Sequence, residues 1–434
     1  MARVVVVGGG LGGAASAARL AKLGHQVVLL ERLDRVGGAL GYVERDGYRW
    51  DSGPTATALP AVLRDLFRKS GRPLERELDL MPVQPMREHR FEDGSAVALP
   101  SGSRTVQQEA IDAGLGAGLG QRWLDYTHSF ADTWDRLRRD YLERPYSAEV
   151  ADRASRDLLR SRTTLHRAVT RAFKDTRLRE LAWSGVVLDG HDPRNVPAWV
   201  GMWSYVEQNF GAWTVPGGMG ALGDLLARRL AERRVDVRLS TPALDVLVRD
   251  GRVAGVATDD GTVEADVVVC AVDPRHLPSI ASTVARTTPA IPPVVCHVGL
   301  RGDLPALPAE VVLHGDPMLV VRTGGSAPEG GAAWTVLARG RIAEDVLTAL
   351  ARHGIDVRAQ VEVRVERSPR DLVGRWGGSP YGVLWQGRAT VAQRAATVGR
   401  VAGLFHAGAH ATPGSGVPLV GLGAALVAQA VGKA

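Results

Sequence analysis

The feature that most constrains this chain is the glycine pattern Gly8-x-Gly10-x-x-Gly13, set between a β-branched run (RVVVV, residues 3–7) and a stretch of helix formers (AASAARLAKL, residues 14–23). Gly24 is placed to end that helix, and QVVLLE (residues 26–31) reads as a second buried strand. Strand, turn, helix and strand in so short an interval make one βαβ crossover. Each glycine has a mechanical reason: Gly8 for the tight turn, Gly10 for backbone approach to a pyrophosphate, Gly13 for close helix-to-strand packing. The helix N-terminus offers unpaired N–H groups to an anion, and Glu31 can accept hydrogen bonds from ribose hydroxyls while opposing a 2'-phosphate. The spacing predicts a dinucleotide site.

Two further stretches share this character. Residues 235–274 alternate strand-like runs with the turns Asp250-Gly251 and Asp260-Gly261, returning into a buried strand at 266–271. Residues 399–434 pair a short apolar strand with a glycine-rich turn and a terminal helix of small residues. None of the three is long enough for a domain, so the expected fold is α/β: a discontinuous Rossmann-like domain (1–71, 214–289 and 395–434), with a mixed α+β substrate domain formed by 72–213 and 290–394. Within the first interruption, 123–142 carries helical periodicity. The run AGLGAGLG (113–120) has no strand before it and reads as a helix-to-helix connection rather than a phosphate loop.

The order of several motifs resembles the FAD-dependent amine oxidase and phytoene desaturase superfamily, most nearly its bacterial carotenoid desaturase branch. These are DRVGGALG (34–41), Asp51-Ser-Gly53-Pro54-Thr55, FGAWTVPGGMGALGDLLARRL (210–230), SPRDL (368–372) with GGSPYG (377–382), and FHAGAHATPGSGVP (405–418). The resemblance implies FAD as cofactor. It places Gly8, Gly10, Leu11, Gly12, Gly13, Glu31, Arg32, Gly37, Gly38 and Ala39 at the ADP half, with the backbone near Leu244 at the adenine and Gly53, Pro54 and Thr55 following. It puts Pro216, Gly217, Gly218 and Met219 close to the flavin, and Gly408, Ala409, Gly414, Gly416, Val417 and Pro418 where a helix N-terminus meets the flavin pyrimidine edge. Ala39 stands where the branch commonly has arginine, Thr412 where it commonly has histidine, and the 290–394 segment is short, which argues for a substrate smaller than a long polyene.

The resemblance implies hydride removal from an apolar isoprenoid or polyene-like substrate to form C=C, with oxygen or a quinone as acceptor. Alternatives are a tailoring flavoprotein acting on a polycyclic or polyketide-type substrate and a redox-neutral flavin-dependent isomerase. No triad, metal cluster or CxxC stands out, consistent with chemistry carried by the cofactor. Candidate acid or base groups are His297, His406, His410 and Glu207, each with an ordinary structural reading beside it. Trp183, Trp199, Trp203, Trp213, Trp376 and Trp385 could line an apolar pocket or simply pack a core.

Fifty-three basic against 47 acidic residues give a net charge of +6, yet only Lys22, Lys69, Lys174 and Lys433 are lysines. The arginines are scattered, which argues against nucleic acid, and the run 228–238 reads as a solvated helix end. Cys270 and Cys296 lie in apolar runs and fit a reducing compartment. No stretch is long and apolar enough to span a membrane, and MARVVVVGGG lacks the apolar region of a signal peptide. The expectation is a cytoplasmic monomer or homodimer, with peripheral membrane contact compatible with the charge.

Overall fold

A computed structural model of the chain describes every residue except Ala148. At its centre lies a five-stranded parallel sheet in the order Leu404–His406, Val267–Cys270, Arg3–Val7, Gln26–Leu30 and Asp236–Arg238. Its strands come from all three of the glycine-marked stretches. Val4 to Val7 of the central strand are all buried because a parallel sheet is covered on both faces, which is why the strand is a near-continuous run of valines.

One face is covered by helices Leu11–Lys22, Gly220–Glu232 and Val417–Val431, all rich in Ala, Gly and Leu. Close approach requires the small residues. A Cβ on Gly13 would lie 1.8 Å from the Gly8 carbonyl oxygen, and one on Gly12 would lie 2.6 Å from the Gly408 amide nitrogen. Against the other face packs a three-stranded antiparallel meander, Ala243–Arg249, Arg252–Thr258 and Gly261–Glu264, as its two Asp-Gly turns predict.

A seven-stranded sheet forms the second layer system, in the order Val361–Arg367, Val294–Arg301, Gly331–Arg339, Met318–Gly325, Glu310–Leu313, Arg87–Arg90 and Ala96–Leu99. Its strands come from both interruptions, joined by the parallel pairing of Glu310–Leu313 with Arg87–Arg90. The hairpin Tyr42–Arg45 and Tyr48–Asp51 reaches from the first region to this sheet, where Tyr48 and Trp50 bury against Ala333, Val363 and Val365. A helical cap spanning Arg104 to Phe210 holds a separate aromatic core that includes Trp123, Tyr126, Trp134, Tyr141 and Trp199. Helices Arg104–Leu115 and Leu119–His128 flank the expected glycine-rich connection.

The arginine-rich run departs from its expected character at one position. Arg229 is fully buried, paired with Glu77 and Glu232 and lying over the Phe67 ring, so it pins helix Gly220–Glu232 to the preceding loop. Its neighbours Arg228 and Arg234 are exposed, as read. Among the described residues no helix is long and apolar enough to cross a membrane, and no group of His, Cys, Asp and Glu is arranged to hold a metal.

Candidate functional site

Two large cavities meet at the junction of the sheets. The first, about 610 Å³, runs from Glu31 along the glycine turn to the N-terminus of helix Val417–Val431. The second, about 650 Å³, lies under the helical cap. Asp51, Pro54, Leu188, Asp189, Arg322, Ser415, Gly416 and Val417 line both.

The glycine turn is closed by local hydrogen bonds. Gly37 N–H donates to the Gly9 carbonyl at 2.9 Å, folding the second glycine pair onto the first. Glu31 is buried, and its carboxylate accepts from the N–H of Gly9 (2.6 Å) and of Leu33 (2.8 Å), so it braces the loop as well as facing the cavity. A Cβ on Gly10 would meet no protein atom, because that position opens into the cavity. Arg32 also lines it, its guanidinium donating to the carbonyls of Gly374 and Arg375.

The first cavity gathers Gly8, Gly10, Leu11, Gly12, Glu31, Arg32, Gly37, Gly38, Ala39, Gly53, Pro54, Gly408, Ala409, Gly416 and Val417 from the sequence expectations. Thr55, Pro216, Gly217, Gly218 and Pro418 line the second cavity instead. Gly13 lines neither, its place being against the strand. Met219 is fully buried behind the wall, where its N–H (3.0 Å) and that of Gly220 (2.8 Å) donate to Asp51. Near Leu244 the wall is made by Pro242 and Ala243, the backbone stretch the resemblance implied, while the Leu244 side chain itself is 46% exposed. On a strand, neighbouring side chains face opposite ways, so a shift of one residue exchanges wall for solvent.

The candidate acid and base groups separate. His297 lines the first cavity with Nδ1 2.9 Å from Thr335 Oγ1, and burial pushes its pKa down to about 4. His410, also on that wall, is held at about 4, burial outweighing Asp273 at 3.8 Å. Both rings are neutral near pH 7. His406 lines neither cavity and is spent on the Ala396 carbonyl at 2.9 Å. Glu207 lines the second cavity but is held bidentately by Arg87 at 3.2 and 3.1 Å.

That pair belongs to a network invisible in sequence. Arg87 also binds Glu310 (3.1 Å), and Glu310 binds Arg322 (2.8 Å). Burial works against the Glu310 carboxylate, but Arg322 and Arg87 together hold its pKa below the usual range. Asp189 differs. It ends helix Thr176–Leu188, and no donor among the described residues reaches its carboxyl. Elsewhere in the second cavity Trp199, Trp203 and Trp385 supply aromatic wall, and Arg394, buried 4.6 Å over the Trp385 ring, donates to the carbonyls of Pro413 and Val383. Trp376 lines the first cavity, with its buried Nε1 unpartnered. Trp183 and Trp213 line neither; they meet His166 and Arg64.

The fold and paired cavities define a dinucleotide-dependent oxidoreductase, and the comparisons state which kind. The sequence model of the flavin-containing amine oxidoreductases matches residues 11–310, well over half the chain, and the protein belongs to that family. It is an FAD-dependent oxidoreductase. The chain is 26% identical to the 4,4'-diapolycopene oxygenase of a Methylomonas species, over 98% of this chain and 97% of that protein. It is 28% identical to the zeta-carotene-forming phytoene desaturase of Myxococcus xanthus, over 98% and 93%. Among solved structures, cyclohexylamine oxidase from Brevibacterium oxydans shares the fold with a TM-score of 0.66, 17% identity and 99% coverage of both chains.

Proposed function

We propose that this protein is a dehydrogenase that forms C=C bonds in an apolar, isoprenoid- or polyene-like substrate, with oxygen or a quinone as final acceptor. The observation that carries the reading is the shared wall. A cavity with tryptophan lining opens onto the dinucleotide cavity along one short boundary, the arrangement a C–H bond needs to reach an electron acceptor without water. The names of the curated relatives point to the same substrate class.

The residues present fit FAD. Gly10, Leu11 and Gly12, at the N-terminus of helix Leu11–Lys22, present backbone N–H groups and an open cradle for a pyrophosphate, with Gly8 tied to the Leu30 carbonyl behind them and Glu31, Arg32, Pro242 and Ala243 around the adenosine end. Gly37, Gly38, Ala39, Gly53 and Pro54 would flank the middle of the cofactor, and Gly408, Ala409, Gly416 and Val417 its ring system. Unpartnered Trp376 Nε1 and His410 Nδ1 on the same wall await an acceptor and a donor. When bound, FAD supplies the two-electron acceptor. In this reading segments 1–71, 214–289 and 395–434 hold the cofactor, while 72–213 and 290–394 enclose the substrate.

A second reading, tailoring of a polycyclic or polyketide-type substrate bearing polar groups, is favoured by the charged wall of Arg87, Glu207, Glu310 and Arg322 in the substrate cavity. The test is anaerobic mixing of the yellow holoprotein with phytoene in vesicles. Shorter isoprenoids are offered in the same way; bleaching of the visible flavin band with gain of a conjugated product is expected for at least one of them, and a band that none of them bleaches refutes the isoprenoid reading.

A further inference from the structure

We propose that Asp189 is the proton acceptor of the desaturation, a catalytic role that rests on the reading above. Forming a C=C bond removes two hydrogens from neighbouring carbons. One leaves with its electron pair as hydride, for which FAD, when bound, would supply the two-electron acceptor. The other must leave as a proton, and the electron pair it leaves behind becomes the second bond of the alkene. The chain therefore needs a base at the boundary between electron acceptor and substrate.

Asp189 is the carboxylate the geometry points to. It lines both cavities, and no hydrogen bond or ion pair among the described residues occupies its oxygens. Asp51, the other carboxylate on that shared wall, is already engaged with the N–H groups of Met219 and Gly220. Glu207 and Glu310 are held by arginines. The imidazoles of His297 and His410 line only the cofactor cavity.

The charged groups that face Asp189 come from four strands and helices: Arg339, Arg322, Glu207 and Arg87. Burial dominates over all of them and raises its pKa to about 6. A base so tuned is ionised near neutral pH yet binds a proton more readily than an ordinary aspartate. The helix ending at Leu188 and the turn glycine Gly190, with φ of +86° and no Cβ to lie 2.6 Å from the Arg339 guanidinium, set its position.

The experiment uses FAD-loaded protein and the variants Asp189→Asn and Asp189→Glu. The visible flavin spectrum is titrated between about pH 4.5 and 8, a readout independent of substrate. The wild type is expected to show a one-proton perturbation near pH 6 that vanishes in Asp189→Asn and returns, displaced, in Asp189→Glu. With phytoene, Asp189→Asn is expected to slow anaerobic flavin reduction by about 100-fold or more at unchanged FAD content. A wild-type protein that leaves phytoene untouched, keeps the Asp189-dependent titration and reduces its flavin with another apolar substrate at a rate that Asp189→Asn lowers about 100-fold supports the proton acceptor and removes only the isoprenoid reading. A titration unchanged in Asp189→Asn, or flavin reduction at the wild-type rate in that variant, overturns the proposal.

Discussion

Replacing Asp189 by asparagine should make the protein more stable. Burial raises the folded-state pKa of this carboxyl from 3.8 to about 6. A group of that kind binds more protons in the folded than in the unfolded state between those two values, so its ionisation costs stability as pH rises through the window. The shift of about 2.2 units, at 1.36 kcal/mol each, corresponds to about 3 kcal/mol once pH exceeds about 6. Asparagine keeps the shape and removes the charge. At about 2.1 cal/mol/K per residue, 434 residues carry an unfolding entropy near 0.9 kcal/mol/K, so the thermal midpoint should rise by about 3 °C at pH 7.5. The gain should shrink toward nothing below about pH 3, where both states are protonated. Differential scanning calorimetry of wild type and variant at matched FAD saturation, from about pH 4 to 8, measures this directly. A variant less stable than wild type at pH 7.5, or a difference independent of pH, would refute the assignment of Asp189 as a half-buried carboxylate without a partner. Stability gained at the expense of turnover is the usual sign of a residue retained for chemistry.

Other expectations follow from the same geometry. Gly13→Ala places a Cβ 1.8 Å from the Gly8 carbonyl oxygen and should lower retained FAD at least about 10-fold on gel filtration or prevent soluble expression, because the clash is with backbone. Gly10→Ala meets no protein atom and should fold with a near-normal thermal midpoint while losing FAD affinity; equal destabilisation by both changes would contradict the packing argument. Glu310→Gln strips one carboxylate from a partly buried network of two arginines and two carboxylates, at a cost of about 1.5–3 kcal/mol, visible as a lower midpoint in chemical denaturation. His297, depressed to about 4 by burial, stays neutral when folded, so wild-type stability should fall as pH drops from about 6.5 toward 4. His297→Gln should flatten that slope, and an unchanged slope would argue against a buried neutral ring.

The parallel sheet was legible in the sequence because its signals are local. Glycines 8, 10 and 13 lie beside the strand they serve, and the Asp-Gly turns at 250 and 260 mark the meander within a few residues. Most of the residues that line the first cavity were legible for the same reason, since they sit in the same glycine-marked segments. The network of Arg87, Glu207, Glu310 and Arg322 was not, since its bonded pairs lie 12 to 223 residues apart and meet only when the seven-stranded sheet forms beside the helical cap. Arg229 shows the same limit: its burial depends on Glu77 in a different segment. Asp189 was concealed in another way. In VVLDGHDP an acid before glycine at a helix end is an ordinary terminator, and only the two cavities on either side of it reveal a second use.

The central sheet places its earliest strand, Arg3–Val7, directly beside Val267–Cys270, with Leu404–His406 beyond that. A ribosome has therefore delivered about nine-tenths of the described polypeptide before this layer can close. Until then the glycine turn has no partner for Gly12, which needs the Gly408 backbone against it. Cofactor capture thus becomes a late checkpoint in biogenesis: the nascent chain must be sheltered from aggregation through most of its synthesis, and acquisition of yellow colour would report completed assembly.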